Sequence, residues 1–253
     1  MHYYDASAHR AMIAPPVDHT GVPRPDEVGL KAKPCAFAIP NLTQEILSEL
    51  PESSVAINVD FTLVTPYSSK DDMGLEEEHS PIVRDWVYRV PLVRPTTWKG
   101  RLRFAAGHRN VAESLITHLF GPDKEAEEKQ EGRLHFFPTF FQNKNAVPEP
   151  IREIINPHDR ISRRGKGPVN ITCVRANTPG KFCVLYVGPM DIPGYDAKKL
   201  SKEIVSWAKE LIEFHGIGAK TLKGYGLGRV DLALGNTSTG PIPIIQRSQG
   251  GRR

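Results

Sequence analysis

The stretch "SVAINVDFTLV" places the strongest constraint on the fold. Val55, Ile57, Val59, Phe61 and Leu63 alternate with mostly smaller or polar residues. A period of two over this length puts all five on one side of a strand. A strand with one apolar face belongs to a sheet that is covered on that face and free on the other, the usual situation in antiparallel sheets. The rest of the chain must supply the cover.

It does so in a recognisable order. "NLTQEILSEL" reads as a short helix capped by Asn41, with Gln44 completing a capping box and Pro51 ending it. After the strand and a long loop from Thr65, "KGRLRFAAGHRNVAESLITHLFG" has Leu102, Ala105, Ala112, Leu115 and Leu119 at helical spacing, stopped by Gly121 and Pro122. The next residues, 123–131, hold mainly acids and read as a solvated loop. "GRLHFFPTFF", "PVNITCV" and "KFCVLYVG" read as strands, the last two joined by the turn "RANTPG". A turn centred on Thr178 would set Cys173 opposite Cys183, as two small apolar side chains in preference to a disulfide. "AKKLSKEIVSWAKELIEFHG" is a second long helix with Leu200, Ile204, Trp207, Ala208 and Leu211 as its buried stripe and Gly216 as a left-handed cap. "GRVDLAL" is a last strand.

Strand, helix, strand, strand, helix, strand, with large insertions, is the ferredoxin-like (RRM-like) pattern. It is an α+β fold with an antiparallel sheet and helices on one face. The expected organisation is an irregular arm over residues 1–40 and one ferredoxin-like domain over 41–234 with inserted loops 65–98 and 142–168. A flexible tail is expected over 235–253. RNA-recognition modules use the open sheet face, although the layout alone carries no function.

Composition narrows the class. The chain has 253 residues, with 33 Lys and Arg against 29 Asp and Glu, and 39% hydrophobic residues, as a globular domain has. No apolar run is long enough to cross a membrane, and the N-terminus lacks the layout of a secretory signal. The cysteines Cys35, Cys173 and Cys183 form no CxxC, which argues against a zinc cage and for reduced thiols in a cytoplasm.

The positive charge is clustered. From Arg84 to Arg109 there are seven Lys or Arg and one acid, Asp85. With Thr97 as a cap, Lys99, Arg101 and Arg103 would occupy the first turns of the following helix. Cations there oppose the helix dipole, so they either recruit an anion or are simply solvated. A second cluster, "NPHDRISRRGKGP", crowds Arg160, Arg163, Arg164 and Lys166 into a loop that either follows a phosphate backbone or has no partner.

The third cluster is "GIGAKTLKGYGLGRVDL", where five of the thirteen residues from Gly216 to Gly228 are glycine. It is not a nucleotide P-loop. Ala219 stands between Gly218 and Lys220, the earlier required glycine is missing, and the stretch follows a helix and precedes a strand. The alternatives are a flexible turn and a loop whose backbone approaches a ligand, with N–H groups facing phosphate, Lys220 and Lys223 supplying charge, and Tyr225 stacking on a base. On the ligand reading, Gly224 and Gly226 serve close approach to RNA, and Gly226→Val should disturb binding more than folding.

These motifs resemble the RAMP superfamily, the repeat-associated mysterious proteins of CRISPR effector complexes. The glycine-rich stretch is similar to that family's C-terminal loop. "SPIVRDWVYRVPLVRPTTWKGRLR" resembles its proline–apolar–Arg/Lys–Asp segment followed by a Ser/Thr-rich turn and KGxLR. "REIINPHDRIS…VRANTPGKFCVLYVG" is in the same style. The likeness spans most of residues 54–234 and is greatest to the single-domain backbone subunits of type III complexes.

The resemblance implies a cytoplasmic RNA-binding subunit of a ribonucleoprotein in antiviral defence. It would grip guide RNA, meet target RNA, and assemble with other effector subunits and with copies of itself in a filament, with no membrane involved. Lys99, Arg101, Arg103, Lys220, Lys223, Gly224, Tyr225 and Gly226 match its RNA-binding motifs, and the loop with Arg160, Arg163 and Arg164 corresponds to a strand-inserted RNA contact. Binding needs no cofactor. Cleavage of target RNA would need a divalent metal such as Mg²⁺. The family's usual catalytic aspartate falls at His79; Asp71 and Asp72, with Glu76, Glu77 and Glu78, are the nearby acids that could hold the metal, and His79 is a candidate general base. The alternative is a guide-RNA-maturing endoribonuclease of the same superfamily. Such relatives use a histidine near an early helix, here His108 or His118.

Overall fold

The computed structural model describes residues 42, 44–69, 79–80, 82–85, 87–122, 131–142, 146–156, 164–165 and 167–245. The chain divides into two units, Met1–Ala32 and Lys33–Arg253, and every described residue lies in the second.

The alternating stretch is strand β1 (Val55–Leu63), following a short helix α1 (Gln44–Ser48); the cap predicted at Asn41 lies outside the described residues. All five residues of its apolar face are at most 1% exposed. β1 is the centre of a five-stranded antiparallel sheet. It pairs with β8 (Pro179–Tyr186) on one side and β9 (Gly228–Thr237) on the other, with a bulge between Asp60 and Phe61 against β9. β4 (Leu134–Phe136) flanks β8, and β10 (Gly240–Ile245) flanks β9. Four of the five strands, in the order β9-β1-β8-β4, make the ferredoxin-like sheet.

Two helices cover the apolar face. Trp98, Leu102, Ala105 and Ala106 of α2 (Pro95–His108) and Leu200, Ile204, Val205, Trp207 and Ala208 of α4 (Ala197–Glu210) share one core with the β1 residues, Phe182, Val184 and Tyr186. Trp98 anchors it. Its ring sits 4.7 Å from that of Phe182, and its indole N–H donates to Thr139 Oγ1 at 2.9 Å. The opposite sheet face is not wholly open, because Leu47 of α1 packs on Ala56 and Leu185.

Several boundaries differ from those expected. The long early helix is two, α2 and α3 (Glu113–Phe120), because Asn110 adopts φ 52° between them, a left-handed conformation that Asn tolerates and that cannot continue a helix. α2 also starts earlier, at Pro95, whose fixed φ suits a first helical position, so Thr97 is not its cap. The two cysteine strands are not a hairpin. Cys173 ends β7 (Val169–Cys173) in a separate sheet, whereas Cys183 lies opposite Asn58 in the main one; both are buried and free. Burial pushes the Cys173 thiol up to about 11 and that of Cys183 up to about 12, so both stay protonated.

The predicted loops and tail also hold strands. β2 (His79–Ser80) and β3 (Leu92–Val93) fall within 65–98, and β6 (Ile151–Ile155) within 142–168. The second sheet runs β2-β7-β6, and β3 pairs with β5 (Thr139–Phe140). The tail does not lose structure at Gly235: β9 continues to Thr237 and turns into β10. Pro241 and Pro243 hide that strand from a periodicity argument, yet they are compatible with an edge position.

Candidate functional site

The last turn of α4 widens into a π-helical turn, Leu211–His215, and Gly216 ends it at φ 72°. The chain then makes a loop whose two ends are bound to each other and to the segment that leaves β1. Ile217 N–H donates to Gly226 O at 2.9 Å, Gly226 N–H to Pro66 O at 2.8 Å, and Ala219 N–H to Ser68 O at 2.8 Å. Leu227 N–H donates to Thr65 Oγ1 at 2.9 Å, and its carbonyl accepts from Val64 N–H. On its other side the same segment bonds to Val174, the residue after β7, through paired hydrogen bonds with Tyr67. At the base of the loop, the amides of Ile217, Ala219 and Gly226 are therefore committed to the protein's own carbonyls.

Gly226 shows how tight this base is. It has φ 74°, and a Cβ placed on it would lie 1.9 Å from the Ile217 carbonyl oxygen. Its need for glycine is internal, which argues against the expectation that Gly226→Val would disturb RNA binding more than folding. Gly224 differs: at φ 82° a Cβ meets nothing within 4 Å. Between Gly218 and Gly224 the loop projects as a tip. Lys220, at φ 58°, opens a single 3-10 turn, Thr221–Lys223, whose Leu222 is fully exposed. Lys223 is exposed and Lys220 half-buried, and among the described residues neither forms an ion pair.

Helix α2 meets the loop, but only along one edge. Arg101 donates to the carbonyls of His215 at 3.2 Å and Gly216 at 2.7 Å, so the predicted meeting of helix and loop exists. Its guanidinium closes the C-terminal end of the α4 segment, where carbonyls and the helix dipole favour a cation. Burial lowers its pKa. Arg103 turns the other way and donates to Gly121 and Pro122 carbonyls. Lys99 is exposed, on the Arg103 side and about 160° around the helix from Arg101 at 100° per residue. The three predicted cations thus fill the second and third turns rather than the tip, and two of them brace the fold.

Tyr225 is also engaged. Its hydroxyl donates to a Glu153 carboxylate oxygen, tying the loop to β6, and burial together with that bond raises its pKa. No sequence signal pointed to Glu153. Arg164 is exposed, whereas Arg160 and Arg163 lie outside the described residues, as do Asp71 and Asp72. His79 lies in β2, level with Asn170 of β7. Among the described residues no cluster of His, Cys, Asp and Glu is built to hold a metal.

The histidines separate. Nε2 of His118 lies 3.1 Å from the Tyr186 hydroxyl, which itself donates to Pro189 O, and 3.5 Å from Asp191. Burial lowers its pKa, and the surroundings are those of a packed structural group. His108 has the partner that the sequence did not disclose. Its ring is 5.5 Å from that of His215, and His215 lies 3.3 Å from Glu210, which is also paired with Arg109.

The outward face of the main sheet offers little to RNA. Beyond Ala56, β1 presents Asn58, Asp60 and Thr62. Asp60 pairs with Lys181 at 3.1 Å, and Thr62 donates to Asp231 at 2.7 Å. On β1 this face carries no stacking ring, unlike the central strands of an RNA-recognition module.

Comparison with solved structures agrees on the fold. One subunit of a type III-B Cmr-beta complex bound to cognate target RNA superposes with TM-score 0.59 at 17% identity, over 77% of this chain and 64% of that one. This chain therefore spans less than two thirds of that subunit. A subunit of the same kind of complex in its apo state gives TM-score 0.50 at 12% identity, over 71% of this chain and 98% of that one. No curated protein sequence matches the chain. The family model of the RAMP superfamily matches residues 50–229, from the turn before β1 to the start of β9, and so takes in both the α2 motif and the glycine loop: the chain belongs to the RAMP superfamily.

Proposed function

We propose that this protein is an RNA-binding subunit of a type III CRISPR effector ribonucleoprotein and grips guide RNA through the glycine-loop tip. One observation carries the reading: a loop with a tightly bonded base presents Lys220 and Lys223, neither of which forms an ion pair among the described residues. Such lysines attract a phosphate backbone and release its counterions. Membership of the RAMP superfamily supports the assignment, as does the fold shared with subunits of type III-B complexes. Assembly with other effector subunits, and with copies of itself, belongs to the same proposal.

The double variant Lys220→Ala/Lys223→Ala tests it. Binding to single-stranded guide RNA should weaken, and the slope of log K against log salt should flatten by about 1.4, two phosphate contacts' worth. An unchanged slope would remove the loop tip from the interface. Cleavage of a guide–target duplex on adding Mg²⁺ would add nuclease chemistry, with Asp71, Asp72 and His79 the first residues to replace.

The His108–His215 pair favours a second reading, maturation of guide RNA without metal. Two imidazoles, one beside a carboxylate, are the groups that a general acid–base cleavage requires. Cutting of repeat RNA in the presence of a chelator, lost in His108→Ala, is the result it predicts.

A further inference from the structure

We propose that the column of planar groups on the glycine-loop edge of α2 is a stacking platform for an unpaired RNA base; this rests on the RNA-binding reading above. Arg101, Phe104 and His108 follow one another along that edge at helical spacing. The guanidinium carbon of Arg101 lies 5.5 Å from the centre of the Phe104 ring, and the His108 ring lies 4.9 Å from it with planes tilted by 32°. His215 meets both rings edge-on, at 5.5 Å and 87° in each case.

The helix does not need this column for its core. The buried stripe of α2 is Trp98, Leu102, Ala105 and Ala106, whereas Phe104 is 44% exposed and His108 is exposed. The nearby acids would not repel a phosphate chain. Glu210 is held by Arg109 and His215, and Glu213 by Lys209 and the Val230 amide. Guanidinium, phenyl and imidazole planes in succession present π faces and a cation, which suit any nucleobase without regard to its identity. Arg101 bonds the column to the loop itself, so a base on the rings lies beside the segment that carries Lys220 and Lys223. A base held in a duplex cannot reach the rings, so the partner is a single-stranded nucleotide.

The test uses the full chain with Phe104→Leu, which keeps an apolar side chain and removes the ring. Affinity is measured for a single-stranded oligoribonucleotide carrying 2-aminopurine and for the same strand made abasic. The parent should quench the fluorophore. The variant should bind the base-bearing strand about 10-fold more weakly, with quenching reduced, the abasic strand unaffected and the salt slope unchanged. If Phe104→Leu fails to fold, His108→Ala, at the exposed last position of α2, gives the same readouts. Equal affinity and quenching in parent and variant would overturn the platform alone, and so would an equal loss on both strands. Self-association abolished by Phe104→Leu with RNA affinity intact would assign the rings to an interface between copies. Strand cleavage lost in His108→Ala but kept in Phe104→Leu would assign the imidazoles to chemistry. A parent that binds no RNA at all overturns the platform and the proposed function together.

Discussion

The base and the tip of the glycine loop are made of the same residue types and obey different rules. Gly226 and Gly224 stand two residues apart, both at positive φ, yet one is pressed against the Ile217 carbonyl and the other borders open space. At the base, glycine is a packing requirement: the backbones of Pro66–Ser69 and of residues 217–227 approach closely enough to bond directly. At the tip, glycine supplies only a dihedral angle, and the side chains around it point away from the core. A glycine-rich stretch can thus be half packed scaffold and half exposed tip.

The largest effect should break the base. Gly226→Ala adds a carbon 1.9 Å from an oxygen and imposes positive φ on an L-residue. Overpacking and backbone strain together are worth about 2–5 kcal/mol. Melting followed by circular dichroism should show a fall of about 4–20 °C, or no folded protein. A variant that melts with the parent would mean that the base can relax. Gly224→Ala sharpens the contrast, because it meets only the φ penalty of about 1 kcal/mol, a fall of about 2–4 °C. If both substitutions have the same effect, the division into base and tip is wrong.

The same contrast explains what was legible in the sequence. β1 declared itself through side-chain alternation, and the helices through their apolar stripes, because burial of a face writes a period into the chain. β10 wrote none, since its two prolines interrupt any alternation. In the site, the identity of the loop was legible from its glycines and lysines. The roles of Arg101, Arg103, Tyr225 and Gly226 were not. A basic or aromatic side chain has the same one-letter code whether it meets RNA, a carbonyl at a helix end or a glutamate far along the chain, and the Tyr225–Glu153 bond spans two separate elements. The ring column was partly legible, because Arg101, Phe104 and His108 share a helix edge. His215 joined it only through the packing of α4 beside α2.

The smallest expected effect concerns what holds His215 beside that column. The hydrogen bond from Arg109 keeps the Glu210 carboxyl below the usual carboxylate range, and His215 adds to this. A depressed folded-state pKa contributes stability that is present above the unfolded carboxylate pKa of about 4.3 and is lost as the pH falls through the lower folded value. Because the carboxylate is partly exposed, with solvent screening, the contribution is under about 1 kcal/mol. Acid titration of melting temperature should therefore show a shallower decline below about pH 4 in Arg109→Ala than in the parent. At neutral pH the variant should be slightly less stable and nearly unchanged in the melting of the loop base. Parallel acid limbs in the two proteins would mean that the Arg109–Glu210 pair does not hold in solution, and that ring packing against Phe104 and His108 keeps His215 in place.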